Sequence, residues 1–238
     1  MEAISEARRV RVRRALDAND IFGGLPEADL DDLIGHGITA SYAAGTTIFR
    51  SEDPGESMMI VLAGRVKISN VSADGKEAIL NFIDPGQVLG EIALLDGQPR
   101  TADAAALQAS ELFVLRRRDF LPFLEARPEL ARKVIELLCA KLRHTTRMVE
   151  DLMLLGMGAR MARAILHLAE EHGKRRGAAI RLDVKLSQRD LGAYVGLSRE
   201  HVNRQLKVWR ELNIVAIQDG HLVILDEAGL RAVADERA

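Results

Sequence analysis

The sequence predicts an α+β chain: an N-terminal antiparallel β domain, one long helix, and a C-terminal helix–turn–helix followed by a hairpin wing. Three observations carry this expectation. From about Ile38 to Leu115, short apolar runs alternate with Gly/Pro turn signals. From Pro128 to Leu155 the chain contains no glycine and no further proline. Beyond that, two capping serines, Ser187 and Ser198, bracket Gly196, and Asp219-Gly220 separates two apolar runs. With 238 residues, 47% of them apolar, the chain is long enough for two domains with cores of their own.

Residues 16–36 read as short helices, with Leu25-Pro26-Glu27 opening a segment that carries Leu30, Leu33 and Ile34. The Arg-rich first fifteen residues receive no element and no role. The runs Thr47–Phe49, Met58–Leu62, Val66–Ser69, Ile79–Ile83 and Leu112–Leu115 are strand-like. Between them stand Ala44-Gly45, Asp53-Pro54-Gly55, Ala63-Gly64, Asp74-Gly75, Asp84-Pro85-Gly86 and Asp96-Gly97. Such spacing predicts an antiparallel sandwich or barrel.

In the long helix, Leu138, Thr145 and Leu152 fall seven residues apart, and Ile135, Leu142 and Val149 make a second such row. A stripe two rows wide favours pairing with a second copy over an amphipathic helix packed only on its own domain. Gly156-Met157-Gly158 is the expected hinge. The implied organisation is a sensing domain over 1–127, a dimerisation helix over 128–155, a hinge at 156–158 and a final domain over 159–238. In that last domain a helix over 159–172 precedes a basic loop, Lys174-Arg175-Arg176-Gly177.

Charge and composition exclude several classes. No apolar run approaches the roughly 18 residues of a membrane span. The first twenty residues lack the apolar core of a signal peptide, so a cytoplasmic protein is expected. A lone cysteine, Cys139, excludes an internal disulfide framework and any protein-supplied four-cysteine centre. The scattered histidines make a zinc enzyme an unfavoured reading, and no nucleophile–base pair or Walker loop is found. The net charge of −2 conceals a contrast: residues 1–158 hold 19 Lys/Arg against 24 Asp/Glu, and residues 159–238 hold 14 against 11. A basic half beside an acidic one points to a polyanion as partner of the basic half.

The basic half also carries the chemistry to read one. Ser187 can cap a helix whose fourth residue is Asp190, with Leu191 and Val195 buried, and Gly196 permits the tight turn before Ser198 caps a second helix. At about 100° per residue, Val202, Leu206, Trp209 and Leu212 fall on one side of that helix. Arg199, Glu200, Asn203, Arg204 and Lys207 fall on the other. Arginine forks onto guanine O6/N7 and glutamate accepts from cytosine N4, so this face suits the major groove. Ser187, Gln188 and Ser198, at the helix starts, are the remaining candidate DNA contacts. Asp219-Gly220 is a strong two-residue hairpin signal, and that hairpin would be the wing.

The other informative stretch runs from Leu89 to Ala102. Gly90 permits close backbone approach, and the residues after it can make one turn whose free amides favour an anion. Arg100 offers a positive fork for phosphate, Thr101 a hydroxyl donor, and Glu91 a carboxylate acceptor suited to a sugar hydroxyl. Alone, Glu91 and Arg100 would read as a surface ion pair.

Taken together, these residues resemble the phosphate-binding cassette of the cyclic AMP receptor protein / fumarate–nitrate regulator (Crp/Fnr) family of bacterial transcription factors. The resemblance runs from about Ile21 to Leu225, in the family's order of β-roll, dimer helix, hinge and winged helix–turn–helix. It implies that Gly90, Glu91, Arg100 and Thr101 hold ribose and cyclic phosphate, and that Thr145 and Thr146 reach the base from both subunits. Ile68, Leu80 and Asn81 align with residues lining the base pocket. Arg199, Glu200 and Arg204 match the base-reading positions of the branch whose half-site resembles TGTGA. Three departures matter. The single cysteine does not match the cluster of oxygen sensors, and no histidine lies between His36 and His144 to serve as a haem ligand. The segment before Arg100 is also one residue tighter than in the best-known member.

The expectation is a homodimeric regulator, not an enzyme, gated by cyclic AMP or cyclic GMP as a reversibly bound effector. Its partners would be double-stranded DNA and RNA polymerase, with no membrane. The alternative is a constitutive or differently gated member with a vestigial pocket.

Overall fold

A computed structural model describes residues 6–236. It divides into two compact units: residues up to Asn70 with Leu80–Leu142, and Val71–Ile79 with Arg143 onward. The division by packing falls within the long helix, ahead of the glycines at which sequence places the hinge.

The first unit opens with α1 (Glu6–Asp17) and α2 (Glu27–His36). The Arg-rich start is thus helical from Glu6, and residues 1–5 lie outside the described residues. Its amphipathicity is split between charge and burial. Val12 and Leu16 enter the core, Arg8 and Arg11 pair with Glu111, and Arg9 and Arg13 pair with Asp31. Local spacing does not supply these acidic partners, because Asp31 belongs to the next helix and Glu111 is about a hundred residues away.

Eight strands follow: β1 (Ile38–Tyr42), β2 (Thr47–Phe49), β3 (Ser57–Ala63), β4 (Val66–Val71), β5 (Glu77–Ile83), β6 (Val88–Leu89), then α3 (Glu91–Asp96), β7 (Asp103–Ala106) and β8 (Ser110–Arg116). They form two four-stranded sheets, ordered β1-β8-β3-β6 and β2-β7-β4-β5. Met59, Val61, Val66, Ile83, Leu89, Ala104 and Leu112 form one core cluster between strands of both sheets. A second cluster gathers α1, α2 and the outer face of β3 and β8 with Phe120 and Phe123 of α4 (Arg117–Glu125), and with Leu130 and Val134 of α5 (Pro128–Leu154).

In the second unit, α6 (Met157–His172) begins immediately after Gly156, which caps it in extended conformation. The break between the two long helices is therefore Leu155-Gly156, and Gly158 lies inside α6. Asp151 pairs with Arg163 at 2.7 Å, and the rings of His144 and His167 stack with centroids 4.7 Å apart. Successive contacts on either side of the break show that α6 turns back along the end of α5.

The segment expected as a basic loop is a strand. β9 (Gly173–Arg176) pairs antiparallel with β10 (Ala179–Leu182) across a turn at Gly177, whose φ is 61°. Then come α7 (Gln188–Val195), α8 (Arg199–Glu211), β11 (Val215–Gln218), β12 (His221–Ile224) and α9 (Glu227–Ala234). β9 and β10 extend the hairpin of β11 and β12 into a four-stranded sheet, β11-β12-β10-β9.

Candidate ligand pocket and nucleic-acid interface

The candidate pocket starts from backbone geometry at Gly90. This residue precedes α3 with φ 78° and ψ 7°, a left-handed conformation that costs an L-residue with a Cβ. A Cβ there would also lie 2.5 Å from Nη1 of Arg100. Glycine thus brings the backbone against the guanidinium. Nη1 of Arg100 donates to the Gly90 carbonyl at 2.8 Å, and Nη2 donates to the Ser57 hydroxyl at 3.0 Å. The Phe49 ring lies beneath the guanidinium, its centroid 4.4 Å away.

Arg100 is only 4% exposed, and its Nε is buried without a partner. Burial pushes its pKa below the ordinary arginine value, while the charges of Glu91 and Asp53 act in the opposite direction. Neither carboxylate touches it: its acceptors are a neutral carbonyl and a neutral hydroxyl. A buried cation with only neutral acceptors is poised for an anion.

Glu91, the first residue of α3, is 3% exposed. Lys141 of α5 donates to its Oε1 at 2.6 Å, and Oε2 is buried without a donor. The structure therefore brings Gly90, Glu91 and Arg100 together. Thr101 follows on the surface, its carbonyl accepting from Asn70 Nδ2 at 3.2 Å. Ile68 is half-buried on β4, and Leu80 and Asn81 are half-buried on the neighbouring β5, where Asn81 Oδ1 accepts from the Phe82 amide. Thr145 and Thr146 lie exposed on α5, beyond Leu142 and so within the second unit.

Lys141, Ser57 and Phe49 were not singled out by sequence reasoning. Lys141 had one usable signal, its position four residues before Thr145 on the same helical face. Ser57 and Phe49 had none, since they meet Arg100 only once the sheets have folded the segment between α3 and β7 against them.

In the second unit, Ser187 accepts from the Asp190 amide at 3.0 Å while the Asp190 carboxylate accepts from the Ser187 amide at 3.1 Å, completing the expected capping box. Gly196 ends α7 with φ 68°, and Ser198 caps α8 by accepting from the His201 amide at 3.3 Å. Val202, Leu206 and Trp209 are buried, whereas Arg199, Glu200, Arg204 and Lys207 are exposed and Asn203 is half-buried. Ser187, Gln188 and Ser198 are exposed as well. Leu212 departs from the expected split: it caps α8 and is 63% exposed.

Arg199 and Arg204 make no ion pair among the described residues, so their forks are free. At the start of α8 the Glu200 carboxyl is held below its ordinary range, first by its own backbone amide and then by the Ser198 hydroxyl. It therefore stays an acceptor at neutral pH. The wing turn has φ 51° at Asp219 and 78° at Gly220, the signs a two-residue type I′ hairpin requires. On the former loop, Lys174 pairs with Asp183 at 3.0 Å and Arg175 with Glu227 at 2.8 Å.

Comparison with known proteins matches both halves. Residues 39–127 fit the cyclic nucleotide-binding domain, and residues 159–233 fit the Crp-like helix-turn-helix domain. The chain belongs to the Crp/Fnr family of transcription regulators. Members of this family are regulators, not enzymes.

The chain is 28% identical over 210 residues to the CRP-like cAMP-activated global transcriptional regulator of Mycobacterium tuberculosis, covering 88% of this chain and 94% of that protein. It is 28% identical over 219 residues to the cyclic AMP receptor protein of Thermus thermophilus, covering 92% and 98%. A solved Crp/Fnr transcriptional regulator of Thermus thermophilus superposes with TM-score 0.69 at 28% identity, over 84% of this chain and all of that one. Among the described residues of this Crp/Fnr protein, no helix is long and apolar enough to cross a membrane. No group of three or more acidic, histidine or cysteine residues among them is arranged to hold a metal ion.

Proposed function

We propose that this Crp/Fnr regulator is gated by a cyclic nucleotide, with cyclic AMP the favoured effector and cyclic GMP the competitor. One observation carries the reading: a buried guanidinium with only neutral acceptors lies beside a buried carboxylate that has one oxygen unpartnered. A ligand that satisfies both must present an anion to Arg100 and a donor to Glu91, as the cyclic phosphate and ribose 2′-hydroxyl do. Arg100 and Lys141 are positive and Glu91 negative, so a monoanionic phosphodiester neutralises the cluster and a dianionic monophosphate overshoots it. Thr101 would add a hydroxyl to the phosphate, and Ile68, Leu80 and Asn81 would line the base.

A threonine hydroxyl can accept from adenine N6 or donate to guanine O6, so Thr145 and Thr146 do not by themselves separate the two nucleotides. The names of the relatives support cyclic AMP.

The active species would be a homodimer joined along α5, whose Ile135, Leu142, Val149 and Leu152 are exposed in the single chain. The two copies of α8 would then enter successive major grooves of a TGTGA-like palindrome about 34 Å apart. Such a protein works in the bacterial cytoplasm, where the nucleotide and the chromosome meet. By linkage, DNA tightens nucleotide binding by the factor with which nucleotide tightens DNA binding.

Fluorescence anisotropy on a labelled TGTGA palindrome tests this, without ligand and with cyclic AMP or cyclic GMP. Cyclic AMP is expected to tighten binding at least tenfold in the native protein and to do nothing in Arg100→Ala. Equal affinity in all three conditions would sink the gating, and absence of binding to that site would sink the assignment of Arg199, Glu200 and Arg204.

A further inference from the structure

The function proposed above uses Arg100 as a phosphate ligand but leaves open what aims it. An arginine side chain has four freely rotating torsions, and fixing them costs entropy. A carboxylate can do the fixing, but one in direct contact would compete with an incoming phosphate for the same fork. Here every direct holder is neutral. The Gly90 carbonyl takes Nη1 at 2.8 Å, the Ser57 hydroxyl takes Nη2 at 3.0 Å, and Cζ lies over the Phe49 ring, 4.4 Å from its centroid. These three come from three separate pieces of chain: the turn before α3, the first residue of β3, and the last residue of β2.

The three contacts act on different degrees of freedom. Two hydrogen bonds from different nitrogens restrain the rotation of the fork, and the ring beneath Cζ restrains the tilt of its plane. A ring quadrupole attracts a guanidinium without neutralising it, so the charge remains available to a ligand.

We propose that Phe49 and Ser57 are positioning residues for the phosphate subsite, with Phe49 setting the plane in which Arg100 meets the two exocyclic phosphate oxygens. The proposal rests on the nucleotide reading above and adds to it a stereochemical consequence. A guanidinium held in one plane does not treat the two exocyclic oxygens alike, so the protein distinguishes the Sp and Rp phosphorothioates of cyclic AMP, in which sulfur replaces one oxygen or the other.

Calorimetric titration of the full-length protein with cyclic AMP and with each phosphorothioate is the test. Phe49 also packs on the sheet core, so the informative substitution is Phe49→Leu, which keeps an apolar side chain and removes the ring face. Phe49→Tyr retains the face. Phe49→Leu is expected to weaken cyclic AMP binding roughly three- to tenfold, the scale of a partly desolvated cation–π contact. It should also compress the ratio of Sp to Rp affinities, while Phe49→Tyr keeps both within about twofold of the native protein. Ser57→Ala should compress the same ratio by freeing Nη2.

An unchanged ratio in Phe49→Leu overturns the proposal, even if affinity falls, because a packing defect weakens both diastereomers alike. Phe49→Tyr behaving like Phe49→Leu overturns it too. Failure of the nucleotide reading looks different: the native protein binds no cyclic nucleotide, or Arg100→Ala binds cyclic AMP as tightly as the native protein. Either result removes the ligand, and the positioning role goes with it.

Discussion

At Glu91 and Lys141 one ion pair joins the candidate pocket to the long helix. Glu91 is almost wholly buried, and its partner Lys141 retains about a third of its side-chain exposure, 31%. A buried carboxylate deprived of its cation is costly, whereas the solvent-facing part of the lysine softens that cost. Lys141→Met is expected to lower stability by about 1–3 kcal/mol, on the lower side of what breaking a fully buried pair costs. Thermal unfolding measures this, and calorimetry should show weaker cyclic AMP binding as Glu91 loses its fixed orientation. Unchanged stability and binding would mean that the pair is incidental. Thr101 stays at the surface, whereas the meeting of Gly90, Glu91 and Arg100 was legible because the cassette is continuous in sequence. Lys141, fifty residues away, was not, and neither were Phe49 and Ser57: a side chain's partners across strands depend on register, which no local spacing encodes.

Among the elements, the reading helix and its turn are the most locally determined. The capping box at Ser187, the serine cap of α8 and the Asp219-Gly220 turn each depend on residues within four positions of one another, so spacing alone predicted them. Gly196 is the joint between α7 and α8. Its φ of 68° disfavours any side chain, and a Cβ would meet Leu152 Cδ2 of α5 at 3.2 Å. Gly196→Ala should cost about 1–2 kcal/mol, the usual penalty of a left-handed L-residue. It should appear as a lower unfolding midpoint and weaker palindrome binding, with cyclic AMP affinity little changed, and equal stability would contradict the strain. The strand β9 escaped prediction for the opposite reason. Lys174, Arg175 and Arg176 have no apolar alternation, and they become a strand because Arg181, Ile180 and Ala179 offer an edge to pair with. Ion pairs to Asp183 and Glu227 then offset the charges of Lys174 and Arg175. At the elbow, two glycines suggested a three-residue break, but helical hydrogen bonding resumes at once after Gly156, and Gly158 is absorbed into α6.

Across the whole molecule, the exposed stripe on α5 is the largest consequence still to be tested. Leu142 is 66% exposed and Ile135 60%, and water contact of that extent along one face is unfavourable for an isolated helix. Leu142→Glu should convert a dimer into monomers at micromolar concentration, read by analytical ultracentrifugation, and abolish palindrome binding, because a single α8 loses its twofold partner. A native protein that sediments as a monomer would remove the dimer from the proposed mechanism. The division of charge, acidic before residue 159 and basic after it, follows from composition alone, because charge adds along a chain whatever the fold. So do the order of β domain, long helix and winged helix, and the two faces of α8, since hydrophobic period and caps are local quantities. Tertiary structure decided what depends on approach through space. It buried Arg100 among neutral acceptors and left Glu91 with one unpartnered oxygen. It also docked the arginines of α1 onto distant acids and made a strand of a basic loop. Burial and partnership are properties of the folded neighbourhood, and their electrostatic consequences exist only once water has been displaced from it.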